Sequence, residues 1–469
     1  MSEVDALVFA SVAETLAAYS SGRCTPVDVV GAYLDRALRH DSRYAAYVCL
    51  DAARARLAAQ AADQRWRNGT ARVLEGVPIA VKDLMDVSGL PTLAGSLTRP
   101  ATPAQASATV VRLLEQAGAI VLGKTHTEEY AFGSWGINES MGTPINPWSA
   151  GEPLVPGGSS SGSAVAVAAG LAPWAIGTDT GGSVRGPAAW QGLVGYKPTP
   201  GRISTHGVVP LSTTLDSVGI LCRTVADALL FARTVQGSDE HDGSTWESPN
   251  DDVGAALEHG VKGLCLAVLA DADRAGVSPD VLQAYDDVLT AMVQDGAVLK
   301  PMELPFTLAS LASTATSPTL AVEAYAQYGH LADDPGSTLS APVRARLLDG
   351  RMDTSTYIGL WRKSEHLLRQ VRRAANGCDA MVLPTMPFAP VPVASVDQTV
   401  PATVLTRFVN QLGWCGIALP SGLTAQGRPL SVQCVARPHN DAMAFRIARA
   451  IERVVPALPR PPMVLSESI

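Results

Sequence analysis

Charge is scarce in this sequence. Asp, Glu, Lys and Arg together supply 17% of its 469 residues and aromatics 5%, against 47% hydrophobic residues. That balance excludes a disordered chain, which would be rich in charge and poor in apolar residues. Basic stripes are missing too. A net charge of −8 without a Lys/Arg run argues against a nucleic-acid surface, so no nucleic-acid partner is expected. The longest apolar run, Ala164 to Ile176, is broken by Gly170 and Pro173 and is too short to span a bilayer, so no membrane is expected either. Seven cysteines (Cys24, Cys49, Cys222, Cys265, Cys378, Cys415 and Cys434) form no CxxC, and eight histidines form no HExxH or HxH. No metal site and no cofactor are therefore expected. An odd number of scattered thiols reads as reduced, and the acidic N-terminus lacks the pattern of a secretory signal. A cytoplasmic protein is the expectation.

What is present is a change of period. Residues 1–75 carry apolar residues at helical spacing, with Thr25-Pro26 as a cap and first turn. Then GVPIAVKD (76–83) and AIVLGKT (119–125) read as buried strands, separated by the amphipathic helix SATVVRLLEQAG (107–118). Strand, helix, strand implies a parallel crossover and an α/β layered fold. Further strands are expected within 263–271, 378–387 and 428–436, helices near 277–296 and 442–455, and a surface loop over 238–252. No repeat or linker interrupts the chain, so a single domain is expected over 1–469. Its parts would be a helical segment (1–75), a core (76–225) and the rest of the sheet with covering helices (226–469).

The run PGGSSSGSAVAVAAG (156–170) sets glycines and serines at the mouth of a buried helix. A flexible linker would have polar flanks, and these are apolar. A phosphate cradle would show GxxxxGK[ST] or GxGxxG, and neither is present. Gly158 to Gly162 does satisfy GxSxG, but that nucleophile turn needs a strand before it, where this chain has a proline-rich loop.

The choice is made further along. AIGTDTGGSVRGPAAWQGLVGYKPTPGR (175–202) again sets glycines around a serine, and the strand IAVK ends on Lys82. With LGKTHTEEYAFGS, GTPINPW, TLDSVGILCRTVAD and ALPSGLTAQGRPLSVQ, these motifs resemble the amidase signature family of Ser-Ser-Lys amide hydrolases over nearly the whole chain. The resemblance implies a three-layer α/β/α fold around a twisted mixed sheet. It implies Ser183 as nucleophile, Ser159 as the bridging serine after a cis peptide bond, and Lys82 as base. The backbone N–H groups of Thr180, Gly181, Gly182 and Ser183 would form the oxyanion hole.

The chemistry asks for those residue types. A serine hydroxyl attacks only when its proton is taken, and a lysine can take it only when neutral. Burial favours the neutral amine and moves a buried lysine by roughly 3–5 units. Otherwise Lys82 would reach for water or pair with Asp83 or Asp86. Ser160 and Ser161 are expected to cap the following helix, Asp179 to brace the loop, and Arg185 to pair with acids or touch substrate. Tyr130, Phe132, Gly133, Trp135, Ile137, Trp190 and Gln191 are expected either to line an apolar acyl or aryl pocket or to pack as ordinary core.

The leading expectation is thus an amidase acting on small-molecule amides through a Ser183 acyl-enzyme, as a monomer or homodimer. A carbamate or urea hydrolase on the same triad is the nearest alternative. Another is the A subunit of a glutamyl-tRNA amidotransferase, against which STTLDSVGI lacks the SLDQIGP-like form.

Overall fold

The computed structural model describes residues 7–249 and 251–468. The first six residues of the expected helical segment, and Asn250 of the expected 238–252 loop, lie outside them. The N-terminal segment begins as expected: helices α1 (Val12–Ser20) and α2 (Pro26–Tyr44) each open on a capping box, Ser11 with Glu14 and Thr25 with Asp28. It is not wholly helical, however. Tyr47–Leu50 forms strand β1 before helix α3 (Ala52–Arg67), because the segment YVCL finds the free edge of β3 (Ile120–Thr125) and pairs with it antiparallel.

Strand β2 (Pro78–Lys82) lies parallel to β3 on one side and to β4 (Ala175–Thr178) on the other, with helix α4 (Thr109–Ala117) in the β2–β3 crossover. Helix α5 (Ser161–Ala168) precedes β4, and α6 (Arg185–Gln191) lies between β4 and β5 (Val194–Lys197). After β6 (Val218–Cys222) come α7 (Val225–Val235), β7 (Cys265–Leu269), α8 (Pro279–Gln294) and β8 (Val298–Met302). Helices α9 (Ser317–Asp333) and α10 (Ala341–Leu348) precede β9 (Ala380–Pro384), β10 (Cys415–Leu423), β11 (Pro429–Ala436) and α11 (Asp441–Val454). The strands form one 11-stranded mixed sheet in the order β1-β3-β2-β4-β6-β5-β10-β11-β9-β7-β8.

Alternation along the central strands makes three layers. Ile79, Val81, Ile176 and Ile220 join a core on one face with α7, α8 and α11. Ala80, Ala175 and Leu221 join a second core on the other face with α2, α3 and α5. Period two puts Lys82 on the same side of β2 as Ala80, facing the serine-led start of α5. No helix among the described residues is long and apolar enough to cross a membrane.

Candidate active site

Lys82 sits at the C-terminal end of β2 with no accessible surface. Its Nζ lies 2.8 Å from Ser159 Oγ, 3.0 Å from Ser160 Oγ and 2.8 Å from Thr178 Oγ1. No carboxylate lies within ion-pair range of it among the described residues. Asp83, its neighbour in sequence, is held instead by buried Lys124 at 2.8 Å. Burial pushes the Lys82 amine down to about 7, an effect that the more distant Glu128, Asp216 and Asp179 only partly oppose. A lysine surrounded by hydroxyls and denied a counter-ion is suited to hold and release a proton near neutral pH.

The serines divide differently from expectation. The Gly158–Ser159 peptide bond is cis. Ser160 occupies the N-cap position of α5 but makes no side-chain cap bond. Its hydroxyl turns toward Lys82 and donates to the Thr178 carbonyl at 3.2 Å. The pull of a buried amine and a strand-end carbonyl outweighs the cap. This approach requires glycine at 177, where a Cβ would lie 2.6 Å from Ser160 Oγ. Ser161 Oγ, also expected to cap, has no hydrogen-bond partner among the described residues.

Ser183 stands on the loop between β4 and α6, 6% exposed and lining a cavity of about 140 Å³. The backbone ties it to the serine run, since Ser160 N–H donates to the Ser183 carbonyl at 3.3 Å. No hydrogen bond joins the Ser159 and Ser183 hydroxyls among the described residues. Such contacts commonly close only when substrate fills the site.

Asp179 lies under the loop that carries Ser183. Its carboxylate accepts from the N–H groups of Gly182 (2.7 Å), Val184 (3.2 Å) and Arg185 (3.3 Å). The first of these corrects the oxyanion-hole expectation. Gly182 N–H is already committed to Asp179, whereas those of Thr180, Gly181 and Ser183 have no protein acceptor among the described residues. Gly182 serves the geometry differently: its φ of +123° is one L side chains avoid, and a Cβ there would meet Thr406 Oγ1 at 2.1 Å.

Arg185 is fully buried, with its Nε and Nη2 donating to the two Asp179 carboxylate oxygens at 3.0 Å each, and it also donates to Gln433, Asn410 and the Thr406 carbonyl. It does not line the cavity. Burial alone would raise the Asp179 carboxyl, yet the Arg185 guanidinium holds it well below the usual range. Removing one partner of such a pair strands the other charge, so Arg185→Ala should destabilise the fold by about 3–5 kcal/mol. Thermal unfolding would show this as a large fall in Tm, and an unchanged Tm would contradict it.

The residues read as pocket or core divide between the two. Phe132 and Gly133 line the cavity; Tyr130, Trp135, Ile137, Trp190 and Gln191 do not. Tyr130 lies in the left-handed region (φ 51°) and packs its ring on Tyr328, with centroids 4.2 Å apart. Trp135 and Trp190 pack with each other and with Phe388, with Ile137 against the same cluster. Gln191 donates to the Pro156 carbonyl. Tyr130, Trp135, Trp190 and Gln191 are buried, and Ile137 is half-buried against the tryptophan cluster.

In their place stand residues that sequence reading missed. Arg346 on α10 and Arg407 line the cavity, with Ser317, Gln398 and Thr403 beside them. The segment 403–410 also clamps the Ser183 loop. Thr406 Oγ1 donates to the Gly181 carbonyl at 2.8 Å and Asn410 Nδ2 to the Asp179 carbonyl at 2.9 Å. Asp216 accepts from Thr180 Oγ1 and from the N–H groups of Leu211 and Ser212. TLDS in the sequence offered a hint of Asp216; nothing in VLTRFVN foretold where Arg407 would reach. No group of three or more His, Cys, Asp or Glu among the described residues could hold a metal ion.

A buried amine on a serine run, with a glycine-preceded serine on the neighbouring strand-to-helix loop, is an arrangement suited to acyl transfer from an amide within an α/β fold. The chain belongs to the Amidase family, whose model matches residues 28–445. It is 36% identical over 464 residues, 93% of this chain and 94% of the relative, to the A subunit of the glutamyl-tRNA(Gln) amidotransferase of Anaeromyxobacter sp. strain K. A solved structure from a vestigial protein complex, described as revealing the origins of an s-triazine catabolic enzyme, superposes with TM-score 0.88 at 28% identity. It covers 96% of this chain and all of that one. Native peptide amidase from Stenotrophomonas maltophilia superposes with TM-score 0.83 at 27% identity, covering 97% and 98%.

These comparisons correct the expected partners. A monomer or homodimer with only a small-molecule substrate and no nucleic acid does not agree with a relative that is one component of an enzyme named for a tRNA. Net charge could not decide the matter, because it averages over the whole surface.

Proposed function

We propose that the chain is the amide-cleaving, ammonia-releasing component of an amidotransferase of the glutamyl-tRNA type, taking a glutamine-like carboxamide as donor. The observation that carries the chemistry is Lys82 Nζ, buried, without a carboxylate partner and 2.8 Å from Ser159 Oγ. The assembly is supported by 36% identity to an amidotransferase component, extending over 93% of the chain.

Ser183 Oγ attacks the carboxamide carbon as its proton passes through Ser159 to Lys82. The oxyanion so formed meets the N–H groups of Thr180, Gly181 and Ser183, where each donor lost costs about 10²–10³ in rate. The tetrahedral species collapses by breaking the C–N bond. Lys82, through Ser159, returns the proton to the departing nitrogen, which leaves as ammonia, and the acyl group stays on Ser183. Water then attacks the ester, gives its proton to the same relay, and Ser183 leaves with it, freeing the carboxylic acid.

The test is ammonia release from glutamine by the protein alone and with the two companion subunits of an amidotransferase. The proposal expects copurification and glutaminase activity that rises when the companions and the charged tRNA are supplied. Full activity on amides with no binding to the companions would overturn the assembly and leave the chemistry standing. A second reading, hydrolysis of an amide, carbamate or urea in its own right, is favoured by one observation. The segment STTLDSVGI departs from the form typical of the amidotransferase component.

A further inference from the structure

Two of the cysteines touch. Cys265 Sγ lies 3.2 Å from Cys378 Sγ although 113 positions separate them in the chain, and both are free thiols. Cys265 opens β7, and Cys378 lies two residues before β9, in the turn that follows the helix Thr354–Ala374. Strands β7 and β9 are parallel neighbours, with Leu266 opposite Ala380.

The backbone holds the two sulfurs together. Asp379 N–H donates to the Cys265 carbonyl at 2.8 Å, and the Asp379 carboxylate accepts from Cys265 N–H at 2.8 Å. Cys378 N–H donates to the Ala375 carbonyl at 3.1 Å, which fixes the turn on the other side. The contact is therefore built by the sheet and the turn, not by two mobile side chains meeting by chance. No group of three or more His, Cys, Asp or Glu among the described residues makes a metal site of it.

Access to the two thiols differs. Cys378 is 7% exposed, whereas Cys265 is half-buried at the strand end. Burial and the adjoining Cys265 push the Cys378 thiol up to about 11, with Lys300 opposing them. Lys300 is anchored beside the turn, donating to the Asn376 carbonyl at 2.9 Å. Cys265 is the thiol a small oxidant meets first, and Cys378 the one already in place to resolve what forms there.

We propose that Cys265 and Cys378 form an oxidisable dithiol, a modification site separate from the amide chemistry, whose reactant is a small hydroperoxide. The Cys265 sulfur attacks the terminal peroxide oxygen and the O–O bond breaks. The alcohol (or water) leaves with the proton shed by Cys265, which now carries a sulfenic acid. The Cys378 sulfur then attacks the Cys265 sulfur, the S–O bond breaks, and hydroxide leaves as water with the Cys378 proton. Two thiols thus lose two electrons and two protons, and the hydroperoxide becomes one alcohol and one water. Because the resolving sulfur is in contact from the start, the sulfenic acid is consumed before a second peroxide can carry it to the sulfinic acid. Six strands separate β7 from β2 in the sheet, so Lys82 and the serine run take no part.

Peptide mass mapping after treatment of the folded protein with hydrogen peroxide tests this, with free thiols alkylated before digestion. The parent should yield a linked pair of peptides carrying residues 265 and 378, two hydrogens lighter than the separate peptides and released by dithiothreitol. In Cys378→Ser nothing resolves Cys265, and dimedone should trap its sulfenic acid about tenfold more than in the parent. In Cys265→Ser, Cys378 should stay alkylatable, and amide hydrolysis should match the parent. A treated parent in which both thiols still alkylate would overturn the site, as would linkage of either one to a different cysteine. Equal dimedone labelling of Cys265 in the parent and in Cys378→Ser would overturn the resolving role of Cys378. Oxidation of Cys378 in Cys265→Ser to the parental extent would overturn Cys265 as the point of attack.

Discussion

Ser183→Ala should lower kcat for amide hydrolysis by roughly 10⁴-fold or more while the protein stays folded. The large effect follows from the mechanism: without Oγ there is no acyl-enzyme, and the relay behind it has nothing to deprotonate. Stability should change little, because Ser183 Oγ makes no hydrogen bond within the described structure and faces the cavity. Mass spectrometry of the protein quenched during turnover gives an independent reading. An acyl adduct on the tryptic peptide carrying residue 183 should be found in the parent and be absent from the variant. An alanine variant with parental kcat would remove the nucleophile from the account.

Lys82→Met is the second large expectation, with a loss of about 10³-fold or more in kcat/KM, at the upper range of general-base contributions. Methionine fills a similar volume and carries no charge, so the fold should survive. A pH signature accompanies the loss. The folded-state amine titrates near 7 and the unfolded one near 10.5. Between these values the unfolded chain binds a proton that the native state does not, so this group makes stability rise with pH across that window. Methionine removes the contribution. Relative to the parent, Lys82→Met should therefore be most stabilised below pH 7, with the difference shrinking toward pH 10.5. Chemical denaturation at pH 6 and pH 9.5 checks the sign, and a difference that grows with pH would contradict it.

The parts of the site that sequence made legible share one property: they are local. TDTGGSVR carries an aspartate, two glycines and a serine within one turn, so Asp179 bracing N–H groups a few residues away follows from short-range geometry. Lys82 at the end of an apolar strand is local in the same sense. What escaped was set by distant packing. Ser160 looked like a cap residue until β4 brought Gly177 and Thr178 against it. Trp135 and Trp190 read equally as pocket walls or as core, and the choice depends on Phe388, some 200 residues beyond Trp190 in the chain. Arg407 reaches the cavity because segment 403–410 crosses over the Ser183 loop, a contact between residues more than 220 positions apart. The fold itself was more readable. The change of hydrophobic period at residue 76 marks the first buried strand, but β4, β5, β6, β8 and β10, and the four-residue edge strand β1 between two helices, were not read from it.

The central claim is that Lys82 is a neutral amine at the pH where the enzyme works. NMR titration of the lysine side-chain resonances, with Lys82 assigned by its loss in Lys82→Met, measures this directly in the resting protein. The account predicts a midpoint near 7, matched by an acid limb of the same midpoint in kcat/KM. An amine that stays protonated to pH 9 or beyond while the enzyme is fully active at pH 7.5 would contradict it.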